Sequence, residues 1–276
     1  MSDATATIAV TGATGFIGRH LVHALRRDGA NVKALTRKAP SPTDDDLPGT
    51  LTWVPGALDH EASLQELVEG CDGVIHVAGA IKALSRDHFF EHNVSGTRRL
   101  AEVAARQPEP PRFIHVSSLA AREPRLSNYA ASKYQAEKVL KPYQGKMSVS
   151  IIRPPAVYGP GDRETLRLFQ MAAKGFAIVP PSPEARVSLI HVDDVVSAIL
   201  NLLPLRDDPG LPFEIDDGHP QGYDWEAVVA AVGAAVQRTP RVVALPAPIL
   251  YLAGGIGSLA SLLTQNPTTL SWDKVP

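Results

Sequence analysis

The sequence predicts an α/β fold, a doubly wound parallel sheet with a smaller C-terminal lobe. Two observations carry that expectation. Apolar runs of strand length alternate with helical patterns from the N-terminus onward, the rhythm of βαβ units. A glycine-rich turn, Thr11-Gly12-Ala13-Thr14-Gly15-Phe16-Ile17-Gly18, stands between the first such run and the first helix. Right-handed crossovers between parallel strands then leave few topologies open.

Ile8-Ala9-Val10 reads as the first strand, and Phe16 to Arg27 as a helix that stops at Asp28-Gly29, where glycine suits a C-terminal turn. Asn31 to Leu35 and Leu51 to Val54 read as the second and third strands, followed by a short helix from Ala62 to Glu69. Gly73 to Val77 is the fourth strand, Asn93 to Arg106 a helix, and Arg112 to Val116 the fifth strand. A helix from Tyr129 to Leu140 and a strand from Val149 to Ile152 complete the regular part. After Tyr158 the rhythm loosens. A helix near Thr165–Lys174, a strand ending at His191, a helix over Asp193–Leu203 and a strand over Phe213–Ile215 come next. They precede a helix over Trp225–Gln237, a strand over Val242–Ala244 and an apolar tail helix.

Composition narrows the class. The chain has 276 residues, 44% hydrophobic and 20% charged, which is ordinary for a globular protein and excludes wholesale disorder. A net charge of −2 offers no basic surface for nucleic acid. Cys71 is the single cysteine, so no internal disulfide or cysteine cage can form, and a reducing, cytoplasmic setting is expected. Met1-Ser2-Asp3 has no basic start of a signal peptide. Ala247 to Thr264 carries no charged side chain, but Pro248, Gly254, Gly255 and Gly257 interrupt it. A membrane span wants about 20 apolar residues, so a helix packed on the small lobe is expected rather than a membrane anchor.

Gly12, Gly15 and Gly18 follow a strand and open a helix, the context that a dinucleotide fingerprint requires. Glycines let the backbone approach a pyrophosphate, and free N–H groups at the helix start hold its charge. The fold then reads as a Rossmann domain over residues 1–157 and about 188–212, with a substrate lobe over 158–187 and 213–276. Cofactor choice is read at the end of the second strand. An acid there would accept from ribose hydroxyls and favour NAD. Leu35-Thr36-Arg37-Lys38 has none, and Arg37 can clamp a phosphate bidentately, with Arg19 able to reach it. NADP is therefore favoured over NAD.

Tyr129 and Lys133 are four residues apart, so on a helix they share a face. A phenol with pKa near ~10 is a poor acid–base group at neutral pH. A neighbouring ammonium favours the phenolate and brings that value toward the working range. Beside a redox cofactor, Tyr129 becomes a candidate proton donor and acceptor.

With those residues in place, the chain resembles the extended short-chain dehydrogenase/reductases, also called the NAD-dependent epimerase/dehydratase family, from about Thr7 to Pro246. The likeness rests on collinear motifs: the glycine turn, His76-Val77-Ala78-Gly79, Asn93-Val94-Ser95-Gly96-Thr97, Val116-Ser117-Ser118, Tyr129 with Lys133, Arg153 to Gly161, and His191-Val192-Asp193-Asp194. The resemblance implies that Ser118 holds the substrate oxygen, that Tyr129 exchanges its proton, and that Lys133 lowers the tyrosine pKa and binds the nicotinamide ribose. It implies a cofactor lined by Gly12, Thr14, Gly15, Phe16, Ile17, Gly18, Arg19, Arg37, Leu58, Ala78 and Gly79, with Pro155, Ala156 and Val157 beside the nicotinamide. Asn93 is expected to fix the local backbone, and the family often forms homodimers.

Departures from the family pattern narrow the chemistry. Leu119-Ala120-Ala121 follows Ser118, where sugar-nucleotide dehydratases carry an Asp-Glu pair. Only ten residues separate Ser118 from Tyr129, shorter than in sugar-nucleotide epimerases. Val187 stands where nucleotide-diphosphate binders present an Arg. Gly56-Ala57-Leu58-Asp59 lacks the family's Gly-Asp-Leu, and Asp59 is expected to cap the next helix. The expectation is an oxidoreductase acting on a small carbonyl or alcohol. The alternatives are a nucleotide-sugar epimerase that retains NAD and a non-catalytic dinucleotide-binding sensor or assembly factor. His191, Asp193 and Asp194 read as a strand-to-helix junction, and no metal site is expected.

Overall fold

A computed structural model describes residues 5–38, 46–180, 182, 184–205 and 211–244. The elements run β1 (Thr7–Thr11), α1 (Phe16–Arg27), β2 (Asn31–Thr36), β3 (Leu51–Pro55), α2 (Glu61–Val68), β4 (Gly73–His76), α3 (Arg86–Phe90), α4 (Gly96–Ala105), β5 (Arg112–Val116), α5 (Asn128–Lys138) and β6 (Val149–Arg153). They continue with β7 (Ala156–Tyr158), α6 (Arg163–Ala173), β8 (Phe176–Val179), β9 (Arg186–Val187), β10 (Leu189–His191), α7 (Val192–Leu202), β11 (Phe213–Glu214), β12 (Tyr223–Asp224), α8 (Trp225–Ala235) and β13 (Arg241–Ala244). Two compact units divide them. The first is the described part of Met1–Pro154 with Asp193–Ile215, and the second is the described part of Pro155–Val192 with Asp216–Pro276.

The first unit is a seven-stranded sheet in the order β11-β6-β5-β4-β1-β2-β3, parallel throughout. The order reverses at β1 and β4, the switch point of a doubly wound sheet, where ligands bind beyond the carboxyl ends of the strands. Strands buried on both faces need continuous apolar runs. β4 and β5 are buried at every residue, and their apolar runs are broken only by His76, Arg112 and His115. On α1, Leu21, Val22, Ala24 and Leu25 form the buried stripe. The fully buried Arg112 binds the far edge: Nε donates to the Leu202 carbonyl at 3.3 Å, and its terminal nitrogens donate to Ser148 and Ser150. It thereby ties the last turn of α7 to the sheet.

The second unit is built from short pairs: β7 with β10 and β8 with β13, both parallel, and β9 with β12, antiparallel. α6 and α8 pack together through Ala172, Val228 and Val232. Strands of two to four residues, each in a single pair, leave too little periodicity to read, so the sequence does not predict β7, β8, β9 or β12. The expected apolar tail helix lies outside the described residues.

Two expectations in the first unit are corrected. The helix expected over Asn93–Arg106 starts earlier and in pieces: α3, a π-helical turn at Glu91–Ser95, then α4. Asp59 does not cap α2. The N-cap is His60, which makes no side-chain cap bond, and Ser63 Oγ donates back to the His60 carbonyl at 2.8 Å. Asp59 stands one position too early and is exposed.

Candidate active site

At the end of β1 the chain turns through Gly12 with φ +73°, a left-handed conformation that glycine alone adopts without strain. A Cβ there would sit 2.6 Å from the Ala78 nitrogen, and one on Gly18 would sit 2.0 Å from the Gly12 carbonyl oxygen. The turn, the exit of β4 and the start of α1 therefore close backbone to backbone. Gly15 N donates to the Gly12 carbonyl at 2.9 Å, and the helical series begins with Arg19 N donating to Gly15 at 3.0 Å. The N–H groups of Phe16, Ile17 and Gly18 precede that series, with no side-chain cap and no acidic residue in the first turn. Thr14 and Gly15 are exposed, and Phe16 and Ile17 half-buried. A cradle without Cβ atoms, lined by donors at a positive helix end, fits a dinucleotide pyrophosphate.

At the end of β2 the buried Thr36 closes a local turn. Its Oγ1 donates to the Lys38 carbonyl at 2.6 Å and accepts from Lys38 N at 3.3 Å. Arg37, Lys38 and Arg19 are all exposed. Leu58 is half-buried and packs on α4 at Gly96, where a Cβ would come within 2.9 Å of Leu58 Cδ1.

The loop after β4 is held by one side chain. Asn93, 2% exposed, accepts from Ala80 N at 2.7 Å and donates to the Ala80 carbonyl at 3.0 Å and to Ser132 Oγ at 2.9 Å. Ser132 Oγ in turn donates to the Tyr129 carbonyl at 2.7 Å. Asn93 thus stitches the loop to α5, and the π turn carries it there; such insertions recur at functional sites. A Cβ on Gly79 would lie 3.3 Å from Asn93 Oδ1 and 3.6 Å from Lys133 Nζ, so the loop passes directly beside the lysine.

β5 and α5 bring Ser118, Tyr129 and Lys133 together. Ser118 follows the strand and its Oγ accepts from Ala120 N at 3.2 Å, capping a 3-10 turn at Leu119–Arg122. Ser127 caps α5 in the same way, accepting from Ala130 N at 3.0 Å. The Tyr129 ring meets Phe89 at 6.2 Å between centroids. Burial raises the Tyr129 pKa, and a hydrogen bond with Ser118 opposes the rise. The Lys133 Nζ donates to the Val116 carbonyl at 2.7 Å. Burial brings the Lys133 pKa down to about 8, and the Glu137 carboxylate pulls it up.

Beneath the lysine lie two buried imidazoles. His76 is held between Thr11 Oγ1 (2.6 Å) and Thr97 Oγ1 (2.9 Å), and it stacks on His115 with centroids 5.3 Å apart. Burial, then the Lys133 charge, lowers the His76 pKa to about 3. Burial, Lys133 and His76 lower that of His115 well below its ordinary value. Sequence reasoning misses both imidazoles and Glu137. The available signal was the Lys133–Glu137 spacing of four on the same helix.

Pro155, Ala156 and Val157 belong to the second unit, where β7 pairs with β10. The Tyr158 ring meets His191 edge-on at 5.3 Å, and Gly159, at φ +145°, leaves no room for a Cβ against Val192 and His191. Asp193 and Asp194 lie in the first turn of α7, and Asp193 pairs with His20 Nδ1 at 3.3 Å.

A glycine-cradled helix start at the switch point of a seven-stranded parallel sheet, beside a Ser–Tyr–Lys cluster, defines a Rossmann-type NAD(P)-dependent enzyme. The NAD dependent epimerase/dehydratase family model matches residues 8–215, and the chain belongs to that family. It is 41% identical over 275 residues to a ceramide reductase of Caulobacter vibrioides, covering 99% of this chain and 84% of the relative. It is 30% identical over 231 residues to a 4-hydroxy-2-methyl-3-oxo-4-farnesyl-3,4-dihydroquinoline-1-oxide ketoreductase of Stigmatella aurantiaca, covering 76% and 68%. Among solved structures, MoeE5 in complex with UDP-glucose and NAD superposes with a TM-score of 0.75 at 25% identity, covering 87% of this chain and 85% of that one. The chain is accordingly an NAD(P)-binding oxidoreductase or epimerase of the short-chain dehydrogenase/reductase class. Among the described residues, no helix is long and apolar enough to cross a membrane.

Proposed function

We propose that the protein is an NADP(H)-linked oxidoreductase that interconverts a ketone and a secondary alcohol through Ser118, Tyr129 and Lys133. The observation that carries this reading is the hydrogen-bonded Ser118–Tyr129 pair with the Lys133 amine buried beside the loop at Gly79. The bound cofactor supplies the hydride. Ser118 Oγ donates to the substrate oxygen and orients it, and the Tyr129 phenol gives that oxygen its proton. Lys133 steadies the ribose hydroxyls and the charge left on the phenolate. Gly12, Thr14, Gly15, Phe16, Ile17 and Gly18 cradle the pyrophosphate, and Ala78 and Gly79 lie along the cofactor. Leu58 would give the adenine an apolar or backbone contact.

The preference for NADP rests on Arg37 and Arg19, whose exposed guanidinium groups suit a ribose phosphate, and on the missing acid after β2. The substrate class follows the 41% identity with a ceramide reductase over nearly the whole chain. We take it to be a ceramide-like lipid whose secondary hydroxyl is exchanged with a ketone. A second reading, epimerisation of a nucleotide sugar with retained NAD, is favoured by the fold match to MoeE5 with UDP-glucose bound.

The test compares the parent with Tyr129→Phe. Both are expected to bind NADPH equally, while reduction of a ceramide carrying the ketone falls by at least about 100-fold in the variant, the usual scale of a lost general acid. Undiminished turnover in Tyr129→Phe would remove the proposed proton donor. Turnover of UDP-glucose with tightly copurifying NAD, and none with the keto lipid, would select the second reading.

A further inference from the structure

Lys133 and Glu137 sit one turn apart on the same face of α5, at 4% and 5% exposure. A buried charge persists only when paired and hydrogen-bonded. Among the described residues Lys133 donates to the neutral Val116 carbonyl, and its other near neighbours include the imidazoles of His76 and His115. None of these supplies negative charge. Glu137 does, and its position is fixed with unusual completeness. Ser117 Oγ donates to Oε1 at 2.5 Å, Arg153 Nε donates to Oε1 at 2.8 Å, and Arg153 Nη2 donates to Oε2 at 2.6 Å. The remaining face of Arg153 is spent on Glu214 in β11, with Nη1 donating at 3.0 Å. Glu214 also faces Arg122 Nε at 3.7 Å.

The result is a chain of alternating charge, Lys133, Glu137, Arg153, Glu214, Arg122, running from the buried lysine to the surface. We propose that Glu137 is a positioning residue for the reaction: clamped by Arg153 and Ser117, it is the counter-ion that keeps the buried Lys133 charged and aimed. The inference rests on the functional reading of Lys133 above, but its physical core does not depend on any substrate. The Coulombic pull of Glu137 on Lys133 opposes the desolvation of the amine. Removing that pull leaves burial unopposed, and Lys133 becomes a neutral amine at working pH. The groups that face this pair are His76 from β4, His115 from β5, Tyr129 from its own helix and Arg153 from β6; none of these carries the negative charge that Glu137 sets against the ammonium.

The test is a titration of Lys133 in the full chain labelled with carbon-13 at lysine Cε, its signal identified by its loss in Lys133→Met. In Glu137→Gln the Lys133 midpoint is expected to fall by about one pH unit or more, a tenfold loss of ammonium above the midpoint. With a keto substrate, the alkaline limb of kcat/KM moves down by the same amount, while activity at pH 6, where Lys133 is charged again, stays within about twofold of the parent. A purely structural role would instead lower activity at every pH. Should Glu137→Gln fold poorly with Arg153 left unpaired, the double variant Glu137→Met with Arg153→Met removes the pair as a unit, a replacement that buried ion pairs often tolerate. The same downward shift is expected there. An unmoved Lys133 midpoint in the folded variant overturns the proposal, even if no ketone is ever turned over. A moved midpoint with undiminished Tyr129→Phe turnover would leave the Glu137–Lys133 coupling standing and remove the reading of the reaction.

Discussion

Replacing Asn93 with alanine should loosen the cofactor side of the site more than any other single change outside the glycine turn. The side chain makes three hydrogen bonds, to both backbone groups of Ala80 and to Ser132. At about 1 kcal/mol net for each, the loss comes to roughly 3 kcal/mol. Partial recovery by water is available at Ala80, which is half-buried, and not at Ser132, which is fully buried. About 2–3 kcal/mol is therefore expected, lowering Tm by roughly 4–12 °C for a chain of this size. Differential scanning calorimetry of parent and variant checks the figure. Asn93→Asp separates the two halves of the amide. It keeps the acceptor for Ala80 N but sets a carboxylate oxygen against the Ala80 carbonyl, so it should destabilise at least as much as alanine. Asn93→Ala within about 0.5 kcal/mol of the parent, or Asn93→Asp as stable as the parent, would refute the idea that this residue clamps the loop to α5.

Arg37→Ala should weaken NADPH by about tenfold or more and leave NADH within about twofold, because a lost charge-assisted phosphate contact is worth roughly 1.5–3 kcal/mol; fluorescence titration of the two nucleotides measures the difference, and equal weakening would make Arg37 a general loop cation. Acidification should destabilise the fold through the buried imidazoles. His76 holds a pKa near 3 when folded against 6.5 ordinarily, so between those values the unfolded chain binds a proton that the folded chain refuses, and stability falls as pH falls, by about 1.4 kcal/mol per pH unit from this residue. His115 acts in the same direction. Urea unfolding at pH 7 and pH 5 should show the loss, and a flatter dependence is expected in His76→Asn.

The sheet was legible because fully buried parallel strands write themselves as largely apolar runs, and Gly73-Val74-Ile75-His76 and Arg112 to Val116 keep that character around a histidine in each and Arg112 at the start of the second. The glycine turn was legible because its spacing is a steric demand: Gly12 and Gly18 fail for any side chain. In the small unit α6, α8, β10 and β13 were legible, but β9 and β12, of two residues each, carry no period, and β7 and β8 are too short to stand out from the loops around them. The π turn escaped for a related reason. One extra residue in a helix leaves the local pattern helical while shifting every later residue round the axis, and only the hydrogen bonds of Asn93 reveal what the shift achieves. At the site, helical spacing placed Tyr129 and Lys133 on one face but did not say which partner the lysine reaches. Its side chain runs on to the Val116 carbonyl, and that outcome depends on the sheet beneath it.

Burial sets the protonation states of this cluster, and it acts in one direction. It raises the phenol, lowers the amine and lowers both imidazoles, favouring the neutral form of each. A neutral Tyr129 is a proton donor, which suits delivery of a proton to the oxygen of a reduced ketone. The reverse reaction asks Tyr129 to accept a proton, hence to start as a phenolate, and desolvation opposes that state. The force that offsets it in the proposed reaction is the Lys133 charge, which itself depends on Glu137. The proposed direction of catalysis and the proposed role of Glu137 are thus linked: weakening the Glu137 charge should impair alcohol oxidation more steeply than ketone reduction, since the phenolate alone needs the ammonium before the chemical step.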